Sequence, residues 1–116
     1  MFAVPAFRKL AMSFEEVEEL PHFEKTSFRV RRKIFATLDE REQRACVKLT
    51  EVDQSIFCAI DPHMIHTVPN AWGRQGWTFV ELKKVNKEII TNILTTAYCT
   101  VAPPSLARKY EHDDLA

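Results

Sequence analysis

Both glycines of this 116-residue chain lie in one short segment, residues 70–78, together with both tryptophans. Glycine is the residue that most readily accepts a positive φ or the close approach of a second stretch of backbone. Trp72 and Trp77 flank the turn, and each offers a large flat surface with one N–H donor. We therefore predict a tight turn that leads directly into a strand beginning at Trp77.

The composition is that of an ordinary globular chain, with 46% hydrophobic residues, 28% charged residues and a formal net charge of zero. A chain of this length forms one domain with one hydrophobic core, so we predict a single domain over residues 1–116. A neutral chain lacks the overall basic footprint that drives non-specific binding to nucleic acid. Any contact of that kind therefore needs a local basic patch.

Cysteine usage and hydropathy indicate the compartment. Cys46, Cys58 and Cys99 are widely spaced and form no Cys-x-x-Cys pair. The N-terminal residues show no signal-peptide pattern, and no run of about 20 apolar residues occurs. We expect a soluble cytoplasmic protein with reduced, buried thiols and no contact with a membrane.

Hydrophobic periodicity predicts three helices and five strands. One helix runs from Pro5 to near Ser13, one is capped by Thr50 and one is capped by Asn86. The predicted strands cover residues 27–30, 33–38, 44–49, 64–68 and 77–82. Strands that are grouped and joined by hairpins predict an α+β fold with two layers, an antiparallel sheet of about five strands with helices packed on one face.

Four local expectations can be compared with the structure. Residues 15–24 hold five acids, no base and Pro21, so they are predicted to be irregular. The second helix is expected to bury Val52, Ile56, Phe57, Ala59 and Ile60. The third is expected to bury Ile89, Ile90, Ile93, Leu94, Ala97, Tyr98 and Val101. After Pro103 and Pro104 we expect a short helical turn and then a frayed tail beyond about residue 110.

The first two predicted strands form a hairpin around residues 31–32. A two-residue turn there pairs Val30 with Lys33 and Phe28 with Phe35. Such turns normally hold Gly or Asn, because their φ angles are positive. Arg32 therefore carries a local strain cost, or the loop is longer than two residues.

Several segments, in the same order along the chain, resemble the MmcQ/YjbR family of small bacterial proteins. They are Pro21-His22-Phe23, Ser27-Phe28-Arg29-Val30, Lys33-Ile34-Phe35-Ala36-Thr37-Leu38, Lys48-Leu49, Trp72-Gly73 and Gly76-Trp77-Thr78. The resemblance runs from about Arg8 to Lys109. It implies an α+β fold similar to the CyaY and secretion-chaperone architectures, and it implies the family's usual assignment as DNA-binding proteins. Members commonly carry Gly in the first hairpin turn, where this chain has Arg32.

Charge is polarised along the sequence next to this hairpin. From Lys25 to Lys48 there are eight basic and three acidic residues, directly after the acidic residues 15–24. A basic hairpin can lie along a nucleic-acid backbone as a β-ribbon. Alternatively, the acidic and basic stretches face each other, or the charges protect a sheet edge from aggregation. The candidate DNA-binding residues of the hairpin are Arg29, Arg31, Arg32 and Lys33.

The glycine-containing turn is the second candidate contact. Arg74 and Gln75 are expected to be exposed at its tip, where both could hydrogen-bond bases or phosphates, and Trp72 could stack on a base. Alternatively, both tryptophans pack in the core or cover a sheet edge, and the tip is simply solvated.

Metal binding and catalysis have weaker signals. Cys58, His63 and His66 have no obvious fourth ligand for zinc, so we predict no metal site. The sequence contains no nucleophile elbow and no glycine-rich phosphate loop, so we predict no catalytic residues and no cofactor. A small-ligand or enzymatic role would require a cleft near His22, Trp72 or Arg74.

The sequence thus predicts a DNA-binding protein that is not an enzyme. The alternative is a chaperone-like protein-interaction module, which would expose an apolar patch or form a symmetric dimer.

Overall fold

Six strands form one antiparallel sheet in the computed structural model, which describes residues 1–111. The sheet order is β1-β2-β3-β4-β6-β5. The strands are β1 (Val17–His22), β2 (Lys25–Val30), β3 (Lys33–Asp39), β4 (Arg44–Lys48), β5 (Ile65–Thr67) and β6 (Trp77–Glu81). The helices are α1 (Val4–Met12), α2 (Glu51–Cys58), α3 (Ala71–Arg74), α4 (Lys87–Val101) and α5 (Pro104–Ala107). The predicted two-layer α+β architecture is confirmed, with the helices on one face of the sheet.

The structure has one strand more than the five predicted. This additional strand is β1, in the segment that was predicted to be irregular. It pairs along its whole length with β2, from Val17 opposite Val30 to His22 opposite Lys25. Pro21 is compatible with this strand because β1 lies at the edge of the sheet, where one side of the backbone needs no ladder hydrogen bond. The acidic segment therefore lies alongside the basic hairpin.

The β2–β3 hairpin has the predicted two-residue turn. Arg31 and Arg32 have φ angles of 51° and 71°, so both adopt the positive φ that a type I′ turn requires. Val30 pairs with Lys33 as predicted, but Phe28 pairs with Ala36 and not with Phe35. A β-bulge causes this difference, because it inserts Phe35 as an unpaired residue. As a result, two consecutive residues of β3 are buried in the core.

The core lies between the sheet and the long helix α4. The buried residues of α4 are Ile90, Ile93, Leu94, Ala97 and Tyr98, which confirms most of the predicted stripe, and Ile89 and Val101 are half-buried. Tyr98 stacks on Phe14, with ring centroids 4.9 Å apart. Its hydroxyl donates to the carbonyl oxygen of Glu15 at 2.6 Å, and the Tyr110 hydroxyl accepts from the Glu15 N–H at 2.9 Å. These bonds fix the segment that enters β1.

The predicted buried face of α2 is wrong for four of its five residues, and Phe57 alone of them is half-buried against the core. Val52, Ile56 and Ile60 are 68%, 59% and 52% exposed. Gln54 is buried in their place, and its side-chain N–H groups donate to the Gly73 carbonyl and to the Thr78 hydroxyl, each at 3.0 Å. Gln54 can be buried because these acceptors offset the desolvation of its amide.

The C-terminal region includes the predicted helical turn as α5, which starts immediately after Pro103. The predicted fraying concerns mainly residues 112–116, which lie outside the described part of the chain. Among residues 1–111, no helix is both long enough and apolar enough to cross a bilayer.

Candidate functional site

The turn that contains both glycines brings three backbone segments into contact. A Cβ atom on Gly73 would lie 1.9 Å from the Val68 carbonyl oxygen. A Cβ on Gly76 would lie 1.9 Å from the Leu49 carbonyl oxygen, and Gly76 has a φ of 104°. Both glycines are therefore required by close backbone approach, and Gly76 also by its conformation. The predicted tight turn before β6 is confirmed, and it includes the one-turn helix α3.

Trp72 lies exposed on this turn. Asn70, which precedes α3, has φ 74° and ψ −159°, a region that is favourable for Gly and strained for other residues. Its side-chain oxygen accepts a hydrogen bond from the backbone N–H of Trp72 at 3.0 Å. Trp72 is 58% exposed, and Arg74 and Gln75 are exposed beside it. Trp77, at the start of β6, is half-buried.

The basic hairpin is partly neutralised by β1. Arg31 Nε lies 2.6 Å from a carboxylate oxygen of Glu16, and this contact lowers the pKa of Glu16. Arg29 is half-buried, donates to the Ser27 hydroxyl and stands opposite Glu18 in the sheet. Arg32 in the turn and Lys33 at the start of β3 are exposed, and among residues 1–111 neither of them forms an ion pair. Within the described residues, the charges of Arg32 and Lys33 are thus unpaired, whereas Arg31 is paired with Glu16 and Arg29 lies opposite Glu18.

The face of the sheet that no helix of residues 1–111 covers, called here the open face, carries a more extended set of candidate contacts. Residues opposite each other in an antiparallel sheet point to the same side. One row across the open face consists of Leu20, Ser27, Thr37, Cys46, Phe79 and His66. Two residues away in one direction lies the pair Lys48 and Trp77. Two residues away in the other lie Asp39, Arg44 and Glu81.

Cations of β4 cover the aromatic rings of β6 on this face. The guanidinium carbon of Arg44 is 4.8 Å from the centre of the Phe79 ring, and Lys48 Nζ is 5.5 Å from the Trp77 ring. Glu81 fixes Arg44 by accepting a hydrogen bond from its Nε at 3.0 Å. The same carboxylate oxygen lies 2.8 Å from His66 Nε2. Contacts of this kind hold positive charge next to flat apolar surfaces.

The open face is concave. A depression of about 390 Å³ is lined mainly by apolar atoms, and its lining residues are His22, Lys25, Ile34, Thr37, Cys46, Val68, Trp72, Trp77 and Phe79. A second groove of about 570 Å³ lies at the end of the same strands, lined by Arg44, Pro62, His63, His66, Glu81, Lys83 and Lys84. The two concavities together form an apolar region with a mainly basic end.

The thiol on this face is not activated. Burial raises the pKa of Cys46 to about 11, so its thiol stays protonated at neutral pH and acts as part of the apolar lining. Burial also raises the pKa of Cys58 and of Cys99. Within the described residues, no group of three His, Cys, Asp or Glu side chains is arranged to hold a metal ion.

Sequence reasoning found some members of the open face and missed others. Two of the seven predicted contact residues belong to the open face: Trp72 lines the depression, and Arg29 lies on the face. Arg31, Arg32 and Lys33 lie at the hairpin turn beyond the Arg29–Ile34 pair, and Arg74 and Gln75 lie beside Trp72. The missed residues are Lys25, Arg44, Cys46, Lys48, His66 and Phe79. The alternation of Arg44, Cys46 and Lys48 indicated that they share one face of a strand, but the sequence did not show that this strand pairs with β6.

The fold and the open face define a class of small α+β proteins in which one side of an antiparallel sheet is left uncovered. The YjbR family model matches residues 12–100, so the chain belongs to the YjbR family. Among solved structures, the chain is similar to the Deinococcus radiodurans protein DR2400, described with a DUF419 domain. The two share 18% identity with a TM-score of 0.78, over 95% of this chain and 88% of that chain, which shows the fold. No curated protein matches this chain.

Proposed function

We propose that this YjbR-family protein binds DNA through the open face of its sheet. The observation that carries the proposal is the pairing of β6 aromatic rings with β4 cations, Trp77 with Lys48 and Phe79 with Arg44. Aromatic side chains and basic side chains combined on a sheet are a common arrangement for nucleic-acid binding, because bases stack on the rings and phosphates contact the cations. The seven residues predicted from the sequence become part of this surface or of its border.

The charge of the face and its border is compatible with this partner. Lys25 and Trp72 both line the apolar depression, and the exposed Arg32 and Lys33 extend the basic character to the hairpin turn. Phosphate contacts from such residues position a strand without reading its sequence. We therefore propose a contact of low sequence specificity. A cytoplasmic location in a bacterial cell belongs to the same proposal, because DNA is found there.

The proposed role is binding and not catalysis. The concave surface is lined mainly by apolar atoms, and the pKa of its thiol is shifted away from reactivity. An active site would be expected to contain a nucleophile or a base with its pKa shifted toward neutrality.

Fluorescence anisotropy with labelled DNA tests the proposal. Reversing two charges of the open face, in the double variant Lys25→Glu/Lys48→Glu, should weaken binding at least about tenfold at low salt, because phosphate contacts become repulsive. The matched control is Lys9→Glu/Lys87→Glu, which makes the same change in charge on α1 and α4. Equal weakening in both variants, or no binding by the unmodified protein at low salt, would contradict the proposal.

A second candidate function, protein interaction, is favoured by one observation. Val52, Ile56 and Ile60 form an exposed apolar stripe on α2 and its C-terminal end, at a spacing of four residues. A second copy of the chain could cover this stripe in a symmetric dimer. Light scattering distinguishes the outcomes: a dimer mass that the variant Ile56→Ser reduces to a monomer mass supports this candidate, and a monomer at all concentrations removes it.

A further inference from the structure

We infer that the DNA form bound at the open face is a single strand, whose bases enter the apolar depression and stack on its aromatic residues. The inference rests on the proposed function, since it names the form of DNA that the same face would take. It depends on three features of the face: the spacing of its rings, the character of its lining and its balance of charge.

The spacing of the rings fits an extended strand. Trp77 and Phe79 lie two residues apart on one face of β6, so their positions are separated by about 6.7 Å along the strand. Consecutive bases in a B-DNA strand are separated by about 3.4 Å. Successive bases can therefore use both positions if they are unstacked from each other, as in a single strand held in an extended conformation.

The lining of the depression fits the face of a base. A duplex presents phosphates and the polar edges of its bases, while its base faces are buried in the stack. The depression of about 390 Å³ is lined mainly by apolar atoms, with Lys25 as its one Lys or Arg residue, and Trp72 and Trp77 offer two aromatic surfaces to an unstacked base. Trp72 is the more available, because it is 58% exposed whereas Trp77 is half-buried.

Arg44 extends this stacking surface. Its guanidinium group packs over Phe79 and is fixed by Glu81. A planar guanidinium group can itself accept a stacked base, so a base at the Phe79 position would lie on Arg44. Lys83 and Lys84 line the groove beyond Glu81 and could contact the next phosphate.

The charge of the open face excludes a strongly electrostatic mode of binding. The basic residues on the face are Lys25, Arg29, Arg44 and Lys48, and the acidic residues are Glu18, Asp39 and Glu81. Duplex DNA carries one charge per 1.7 Å of axis, and its non-specific binding depends on many phosphate contacts. A nearly balanced face must therefore obtain its affinity mainly from stacking, and phosphate contacts by the four basic residues of the face itself account for a salt slope of about −3.

Three ligands of equal length test the inference: a 12-nucleotide oligothymidylate, an abasic phosphodiester oligomer and a duplex of matched length. Base stacking contributes about 5- to 150-fold per base, so oligothymidylate should bind at least about tenfold more tightly than either of the others and should quench tryptophan fluorescence. Equal binding of the duplex or of the abasic oligomer would overturn the inference but leave the proposed function intact. If none of the three binds at low salt, the proposed function fails as well.

Variants of Trp72 separate stacking from a structural role. Trp72→Ala should weaken binding of oligothymidylate by about 5-fold or more, and Trp72→Phe should stay within about 3-fold of the unmodified protein because it keeps a ring. Val52→Ala, at an exposed residue of α2 that does not line the depression, is the control for a loss of exposed apolar surface. Equal weakening by the alanine and phenylalanine variants of Trp72, with unchanged thermal unfolding, would contradict a stacking role.

Discussion

The two faces of the sheet use aromatic residues in different ways. On the helix-covered face, Phe28 is fully buried and meets the ring of Phe7 edge-on at 5.8 Å. On the open face, Trp77 and Phe79 are half-buried and lie next to cations. Both faces belong to the same strands, and their residues alternate along the chain. The neighbours of an aromatic ring, and not its residue type, therefore show whether it holds the fold together or is available to a partner.

A matched pair of truncations tests this comparison most directly. Phe28→Ala should reduce the free energy of unfolding by about 3–5 kcal/mol, because it leaves a cavity in the core. Phe79→Ala should cost about 1 kcal/mol, because its ring is half solvated, and should weaken DNA binding. Denaturant unfolding measures the first effect and anisotropy the second. Equal losses of stability would show that the open face is as structural as the covered one.

A substitution in the glycine-containing turn before β6 should reduce the free energy of unfolding almost as much. Gly76→Ala should cost at least about 3 kcal/mol, since the new Cβ would meet the Leu49 carbonyl at 1.9 Å with a φ of 104°. Asn70→Gly, in the same turn, is the control. It relieves a strained backbone and loses one hydrogen bond, so its unfolding free energy should stay within about 1 kcal/mol. A mild effect of Gly76→Ala would mean that the turn can move away from Leu49.

Alkaline pH should reveal how well the covered face is sealed. Burial raises the pKa of Tyr98 from 10.0 to about 12, with smaller contributions from Tyr110 and Glu15. Because the folded state favours the neutral phenol, this stability is complete below about pH 10 and is lost as the pH rises through about 12. The full loss approaches about 3 kcal/mol. Unfolding curves at pH 9 and pH 12 should differ less for Tyr98→Phe, and an equal difference would contradict the assignment.

The smallest predicted effect concerns the amide that fixes the turn behind the open face. Gln54→Ala should cost about 2 kcal/mol, because the Gly73 carbonyl and the Thr78 hydroxyl lose their donor. Val52→Ala, on the exposed side of the same helix, should stay within about 0.5 kcal/mol. Thermal unfolding compares the two variants. A larger loss for Val52→Ala would indicate that a partner or a second copy covers the stripe.

Sequence reasoning predicted elements whose patterns are local and failed where tertiary contacts decide. The strand starting at Trp77 and the capped helix α4 are recognisable from alternation, periodicity and capping. The strand β1 was missed because Pro21 and its glutamates are typical of a loop, and only its place at the sheet edge makes them acceptable. The face of α2 was predicted wrongly because Gln54 finds buried acceptors that lie 19 and 24 residues further along the chain.

The candidate site was harder to predict than the fold because it depends on strand order. Arg44 and Lys48 meet Phe79 and Trp77 because β4 pairs with β6, although α2, β5 and α3 lie between them in the sequence. The sequence alone contains both alternating strands but not their adjacency. The basic hairpin could be recognised in the sequence because its charges are consecutive. Its partial neutralisation could not be recognised, because β1 was missed.

The two hydrogen bonds on Glu15 imply an order of events during synthesis. Its carbonyl and its N–H are bound by side chains 83 and 95 positions later in the chain, Tyr98 and Tyr110. When β1 to β4 have just been synthesised, Tyr98 and Tyr110 have not yet been added to the chain. The β2–β3 hairpin can form early from local contacts, but the entry to the acidic edge strand stays unlocked until residue 110 has emerged. During translation, β1 can therefore pair with β2 early, while the residue that leads into it, Glu15, is fixed only as one of the last steps.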